Sequence, residues 1–335
     1  MKTILTWDLG ATKCTAGIIQ YNEANGHLTC LRDTTIKLKD THSLNDLISH
    51  LESDLDFSSR DADAICIGGA GFFDGESLLL EGVYPYSMPF AKIANEAKWP
   101  VFSVIHDYAS IVCATFTSYV DDENNLLRLN HHTAEKYGRR LAFGIGTGLG
   151  LKDGVLLQNN DFWLGQNEMG HIGVISPPQA NDTIKKRHRE LIDFLRKSNH
   201  LEDYEALTFE KILTGKGLAR LYHFLYGESP SLTPEDVGQI MKSGNASELI
   251  DLFAWYLGLF IGTVQLSFMP TGGIWMTGGV AMRHLEVFQS ASLMKGIKAT
   301  PAYWAQRQHY PLAVMHNHQH ALLGAGYYAA TRLLK

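Results

Sequence analysis

The stretch Leu141-Ala-Phe-Gly144-Ile-Gly146-Thr147-Gly148-Leu-Gly150 decides how this chain is read. An apolar run enters a turn built from glycines and one threonine, and a second apolar run leaves it toward Leu157. That pattern predicts a β-hairpin. Glycine also lets backbone N–H groups approach an anion, because no Cβ blocks them and positive φ costs little. Consecutive exposed N–H groups then form an anion-binding concavity, to which a Thr hydroxyl adds a donor. Ile4–Ile18 repeats the plan: an apolar strand, the turn Asp8-Leu-Gly10-Ala11-Thr12, and a second strand from Thr15. Thr12 and Thr147 stand 135 positions apart (147 − 12). A duplicated α/β domain, each half opening with a Gly/Thr hairpin, is the simplest account.

Asp8 changes the chemistry of the first turn. A carboxylate beside a phosphate site repels its ligand unless a cation lies between them, and Mg²⁺ held through water fits that place. A third small-residue cluster, Thr277-Gly278-Gly279-Val280, follows the apolar run Gly273–Met276 and could receive an adenine or ribose by close backbone approach. Two other nucleotide signatures are missing. The one Gly-Lys pair, Gly215-Lys216, is followed by Gly217, and Gly144, Gly146, Gly148 and Gly150 are spaced by two throughout. Neither a P-loop nor a dinucleotide fingerprint fits.

The bulk numbers exclude other classes. A chain of 335 residues suffices for two domains of roughly 150 residues each. With 29 Lys+Arg against 35 Asp+Glu and a net charge of −6, there is no basic surface to predict nucleic-acid binding. Charged residues are 19% and hydrophobic ones 45%, as in a folded protein with a core of useful size. The four cysteines, Cys14, Cys30, Cys66 and Cys113, lie far apart with no CxxC pair, and three of them stand in or beside apolar runs, so they read as buried thiols rather than disulfides. The N-terminal residues start a strand and lack a signal-peptide apolar region. The longest apolar stretch, Leu249–Met269, is interrupted by Asp251, Gly258, Gly262 and Gln265 and reads as a core helix. The expectation is a soluble cytoplasmic protein with no nucleic acid or membrane partner. The sequons at Asn181 and Asn245 carry no meaning without secretion, and His316, His318 and His320 read as surface histidines at a helix entry.

Expected strands are Thr3–Trp7, Thr15–Gln20, Ala64–Gly68, Val101–Ile105, Leu141–Ile145, Gly154–Leu157 and Gly273–Met276. Expected helices are Ser43–Leu55, Ala109–Tyr119, Lys185–Asn199, Phe209–Tyr226, Pro234–Ser243, Ala246–Phe268 and Gln319–Leu334. Thr208 and Thr233 are the natural N-caps, with Pro234 at a first helical position. Asp121–Gly138 is polar and reads as a surface excursion.

The motifs, taken in order, resemble the bacterial glucokinases of the actin-like sugar kinase/ATPase superfamily. Asp8-Leu-Gly10-Ala11-Thr12 is similar to the family's phosphate-1 hairpin, and Gly144–Gly150 to its phosphate-2 hairpin. Asn167-Glu168-Met169-Gly170-His171 resembles its sugar loop, and Phe209-Glu210-Lys-Ile-Leu-Thr-Gly215-Lys-Gly217-Leu its following helical segment. Gly278-Gly279-Val-Ala-Met-Arg283 resembles its adenosine motif. The resemblance runs from Asp8 to the closing Leu322-Leu-Gly324-Ala-Gly326. It implies an α/β fold of the actin-like ATPase (ribonuclease H-like) kind, with two domains flanking a central cleft. The division would put residues 1–112 plus 318–335 in one domain and 113–317 in the other. It further implies an ATP- and Mg²⁺-dependent hexose kinase that makes glucose 6-phosphate, with a homodimer left open.

The site residues follow from the same resemblance. Asp8, Gly10, Ala11, Thr12, Gly146, Thr147, Gly148, Gly278 and Gly279 would bind the nucleotide, Asp8 also holding Mg²⁺ through water. Asp107, after the strand Val101–Ile105, would be the catalytic base, its plainer alternative being the N-cap of the next helix. His106, Asp107, Glu168, His171 and Glu210 would contact the sugar, since carboxylates accept two hydrogen bonds each from polyol hydroxyls. Four departures bear on the sugar. His106 replaces the family's Asn, Met169 replaces a Gly, Gly68-Gly-Ala-Gly71-Phe-Phe-Asp74 replaces a proline loop, and Glu81-Gly-Val-Tyr-Pro-Tyr stands where an Asn-containing segment is usual. Two alternatives therefore stay open: a kinase for a different hexose or amino sugar, and a non-catalytic sensor of sugar or nucleotide.

Overall fold

A computed structural model describes residues 1–80, 82, 84–174, 182–227 and 232–335, without the side chains of 182 and 183. The sequon at Asn181 lies outside the described residues, as do Glu81 and Val83 of the altered loop. The strands are β1 (Lys2–Leu9), β2 (Lys13–Asn22), β3 (His27–Lys37), β4 (Ala64–Gly69), β5 (Gly71–Phe73), β6 (Leu78–Leu80) and β7 (Val101–His106). They continue as β8 (Leu126–Arg128), β9 (Arg140–Ile145), β10 (Leu149–Leu156), β11 (Phe162–Leu164), β12 (Ile274–Thr277) and β13 (Leu312–Met315).

The chain forms two compact units. The first comprises Met1–Leu126, Lys152–Leu164 and Asn317–Lys335; the second comprises Leu127–Leu151 and Gly165–His316. Residues 113–126 and 152–164 pack with the first unit because Phe116 and Phe162 stack at 6.1 Å and both meet Tyr327, while Tyr119 Oη donates to Asn317 O at 2.9 Å. Arg332 adds an ion pair to Asp161 at 3.0 Å.

In the first unit a sheet of order β3-β2-β1-β4-β7 pairs β1–β2–β3 antiparallel and β1–β4–β7 parallel. One face packs on the helix Leu44–Leu55 through Leu44, Leu47, Leu51 and Leu55. The other receives the closing helix His320–Arg332 through Leu322, Ala325 and Ala329. Fully buried parallel strands of this kind read as near-continuous apolar runs, as Ala64–Gly69 does. The second unit has the order β10-β9-β12-β13-β8, and β10 runs on into the first unit, where it pairs antiparallel with β11. The strand orders β3-β2-β1-β4-β7 and β11-β10-β9-β12-β13 match step for step, as duplication of an α/β unit requires.

The helix Ser247–Phe268 lies at the centre of the second unit's core, its Leu252–Val264 stretch mostly buried. It is long and apolar enough to cross a membrane, yet 78% of its most apolar window is buried inside the protein. Gly258 and Gly262 admit the helix Ala291–Lys298: a Cβ on Gly258 would stand 2.0 Å from Leu293 O.

Several expected elements change shape. Phe209–Tyr226 is two helices, Phe209–Ile212 and Gly215–Tyr226. Thr214 caps the second by accepting from Gly217 N–H, and a Cβ on Gly217 would stand 2.0 Å from Ile212 O. The helix after Asp107 stops at Ala114 rather than Tyr119, where Thr117 Oγ1 turns back to Ala114 O. The polar stretch Asp121–Gly138 is not wholly a surface excursion, because it supplies β8, with Leu126 buried. His320 is also not a surface residue. It is 6% exposed, its Nδ1 lies 2.7 Å from Asn317 O, and burial lowers its pKa to about 4.

Candidate active site

In the first unit, β1 ends in the turn expected to receive phosphate. Gly10 N–H donates to Lys13 O at 3.0 Å and closes it, and Thr12 O accepts from Leu38 N–H at 2.9 Å. Ala11 meets a small neighbour: a Cβ on Gly82 would stand 3.1 Å from Ala11 Cβ. Its methyl is accommodated by a glycine opposite it.

Asp8 pairs with Gly68 of β4, and Gly68 pairs with Ile105 of β7. The three strands therefore end together at their carboxyl ends, the side where α/β sheets gather ligands. Gly68 lets the next helix start close to the sheet, since a Cβ there would meet Ser110 Oγ at 3.1 Å and Asp107 Cα at 3.5 Å. This brings Asp107 within electrostatic reach of Asp8. Burial first, and the Asp107 charge second, raise the Asp8 pKa from 3.8 to about 6. An oxygen-only pair of carboxyls with excess negative charge suits a hard divalent cation.

Asp107 is the first residue of its helix, not its cap; His106 occupies the N-cap position. His106 Nδ1 lies 2.8 Å from Asp107 Oδ1 and 3.2 Å from Tyr108 N. A single ring nitrogen cannot donate to one and accept from the other. The shorter contact and the carboxylate's charge assign the proton to Nδ1, donating to Asp107. Tyr108 N–H is then satisfied by Asp107 Oδ1 at 2.8 Å. The imidazole thus orients the carboxylate beside it.

In the second unit, the turn Gly146-Thr147-Gly148 is closed by Gly146 N–H donating to Gly148 O at 3.0 Å. Its flanks are held from outside. Gly215 N–H donates to Gly146 O at 2.9 Å, and Leu149 N–H donates to Glu210 Oε2 at 3.0 Å. Gly279 N lies 3.9 Å from where a Cβ on Gly146 would stand, so the third glycine cluster adjoins this turn. Gly278 has φ +97°, and a Cβ there would stand 2.5 Å from Ile145 O; only glycine fits.

The loop Asn167–His171 ends in a short turn in which His171 N–H donates to Glu168 O at 3.0 Å. A Cβ on Gly170 would stand 2.2 Å from Leu149 O, so this glycine is needed for the loop to lie on the hairpin. Met169 packs against the second unit's core, which takes up its added volume. Thr208 caps the helix Phe209–Ile212 by accepting from Lys211 N–H and so presents Glu210 in its first turn. His171 Nε2 lies 3.9 Å from Glu210 Oε2. The structure therefore groups Asp8, the first turn, His106 and Asp107 in one unit. Gly146–Gly148, Gly278, Gly279, Glu168, His171 and Glu210 belong to the other. The sequence reading missed the backbone of Leu149, which no side-chain pattern marks.

The sequence profile of the Glucokinase family matches residues 5–332. A glucokinase of Agrobacterium fabrum is 26% identical over 336 residues, covering 98% of this chain and 92% of its own. Among solved structures, a glucokinase from an Antarctic psychrotroph superposes with a TM-score of 0.80 at 19% identity, over 98% of both chains. A glucokinase from Streptomyces griseus, solved with glucose and AMPPNP, gives a TM-score of 0.58 at 16% identity over 96% of this chain and 97% of its own. The fold is that of the actin-like ATPases.

Proposed function

Because the chain belongs to the Glucokinase family and is an ATP-dependent hexose kinase, we propose that it transfers the γ-phosphoryl group to the 6-hydroxyl of glucose with Asp107 as the base. In this reading an Asp107 oxygen accepts the hydroxyl proton as the sugar oxygen forms its bond to phosphorus. The bond between phosphorus and the β,γ-bridging oxygen breaks, and ADP leaves. His106 holds the carboxylate in one orientation through Nδ1–H, which keeps an unprotonated oxygen directed at the acceptor. Glu168, His171 and Glu210 bind sugar hydroxyls, and the turns around Gly10–Thr12 and Gly146–Gly148 offer backbone N–H groups to the phosphates.

Mg²⁺ would be held by Asp8 through water, where it would neutralise charge on the phosphates. The expected domain division, 1–112 plus 318–335 against 113–317, is kept as a proposal for the functional one, since it separates the base and first turn from the second turn and sugar loop, although 113–126 and 152–164 pack with the first unit. The reading takes ATP as a cytoplasmic solute and so places the protein in the cytoplasm.

The observation that carries the proposal is the convergence of Asp8 and Asp107 at the ends of β1 and β7, the two strands that flank β4 and its Gly68. His106 is the observation that favours the rival, a kinase for another hexose or an amino sugar, because imidazole presents different groups to the sugar than Asn does. A coupled assay with glucose, mannose, fructose and N-acetylated hexosamines tests both. Glucose should give the highest kcat/KM, and turnover of glucose no better than that of the others would reject the assignment.

A further inference from the structure

Leu149 is the first residue after the second phosphate turn, and both its N–H and its carbonyl meet the sugar-binding residues of the same unit. Its N–H donates to Glu210 Oε2 at 3.0 Å. Its carbonyl oxygen lies where only a glycine, Gly170 of the sugar loop, can approach. The same Glu210 oxygen stands 3.2 Å from where a Cβ on Gly148 would be, and 3.9 Å from His171 Nε2. On the entry side of the turn, Gly215 N–H holds Gly146 O at 2.9 Å. The turn is thus bracketed by Glu210 and Gly215, two residues of a single segment.

We propose that Glu210 is a positioning residue for the nucleotide as well as a sugar ligand: its carboxylate fixes the exit of the Gly146–Gly148 turn and couples hexose binding to nucleotide binding. The proposal rests on the kinase reading, because it takes that turn as the phosphate loop. A carboxylate accepts through both oxygens, so Oε2 can hold Leu149 while Oε1 accepts from a sugar hydroxyl. Fixing Leu149 N–H fixes the peptide that follows Gly148, and with it the direction of the turn's donors. Donors held in place before the ligand arrives cost less ordering when it binds. A sugar that orders the carboxylate therefore orders the turn, and the nucleotide must favour the sugar in equal measure.

The test is the affinity for AMPPNP with and without glucose, measured by titration calorimetry on the full chain. E210A removes the acceptor and should weaken AMPPNP about tenfold even without sugar, the loss of one charge-assisted hydrogen bond. E210D, which withdraws the carboxylate by one methylene but keeps its charge, should show the same loss if E210A does not fold. E210Q keeps an acceptor oxygen and should retain most of the sugar-free affinity. Sugar-free AMPPNP affinity unchanged in both E210A and E210D overturns this proposal alone. A wild-type chain that binds no AMPPNP overturns the kinase reading and this proposal together.

Discussion

His106 Nδ1 stands 2.8 Å from Asp107 Oδ1, a neighbour-to-neighbour contact at the start of a helix. The carboxylate also accepts Tyr108 N–H at 2.8 Å, and the helix beyond it is tightened by Ser110 Oγ donating to Asp107 O. Asp107 is therefore restrained on its strand side and its helix side.

That restraint predicts a rate effect separable from binding. His106→Ala should lower kcat about tenfold with little change in the KM for ATP, because the carboxylate loses its orienting donor. His106→Asn should recover most of the rate while altering the ratio of glucose to mannose turnover. Steady-state kinetics on the three proteins decides this, and full kcat in the Ala variant would remove His106 from the account.

Asp8 predicts a pH dependence with a definite sign. Its folded pKa of about 6 lies above its ordinary 3.8, so the fold binds this proton more tightly than the unfolded chain. That contribution to stability is fully present below about pH 4 and is lost as pH rises through about 6. D8N should therefore raise the Tm of the ligand-free protein at about pH 8 and change it little at about pH 4. Thermal melts at the two pH values check it; equal shifts would mean that Asp8 carries no such strain.

Arg307 predicts a purely structural effect. It is fully buried, and its guanidinium donates to Ala302 O at 2.9 Å, Gly262 O at 2.8 Å, Gln265 Oε1 at 3.3 Å and Thr300 O. R307A strands these acceptors and should cost about 3 kcal/mol or more. R307K should recover little, since a point charge cannot match the planar fork. Denaturant titration measures both.

What could be read from the residues follows from where each signal resides. The hairpins at Asp8–Thr12 and Gly146–Gly148 were legible because turn chemistry is local: glycine and threonine between two apolar runs leave few alternatives. The core helix Ser247–Phe268 was legible from its length and apolar content. His27–Lys37 was not, because an edge strand with alternating exposure carries Thr, Arg and Asp where a buried strand carries Val and Ile. The break between Ile212 and Gly215 escaped because Phe209–Tyr226 keeps helical periodicity throughout; the break comes from Thr214 capping and from Gly217 meeting the Ile212 carbonyl. In the site, side chains such as Glu210 were visible as types, but its partner is a main-chain N–H of Leu149, which sequence cannot mark.

The central claim is that Asp107 is the base for phosphoryl transfer to a hexose. ³¹P NMR of wild type and D107N incubated with ATP, Mg²⁺ and glucose measures it most directly. Wild type should give ADP and a hexose 6-phosphate in equal amounts, and D107N should form the ester about 10²–10⁴ times more slowly while still binding glucose. Ester formation by D107N at the wild-type rate, or ADP and inorganic phosphate without a sugar ester from the wild type, would contradict it.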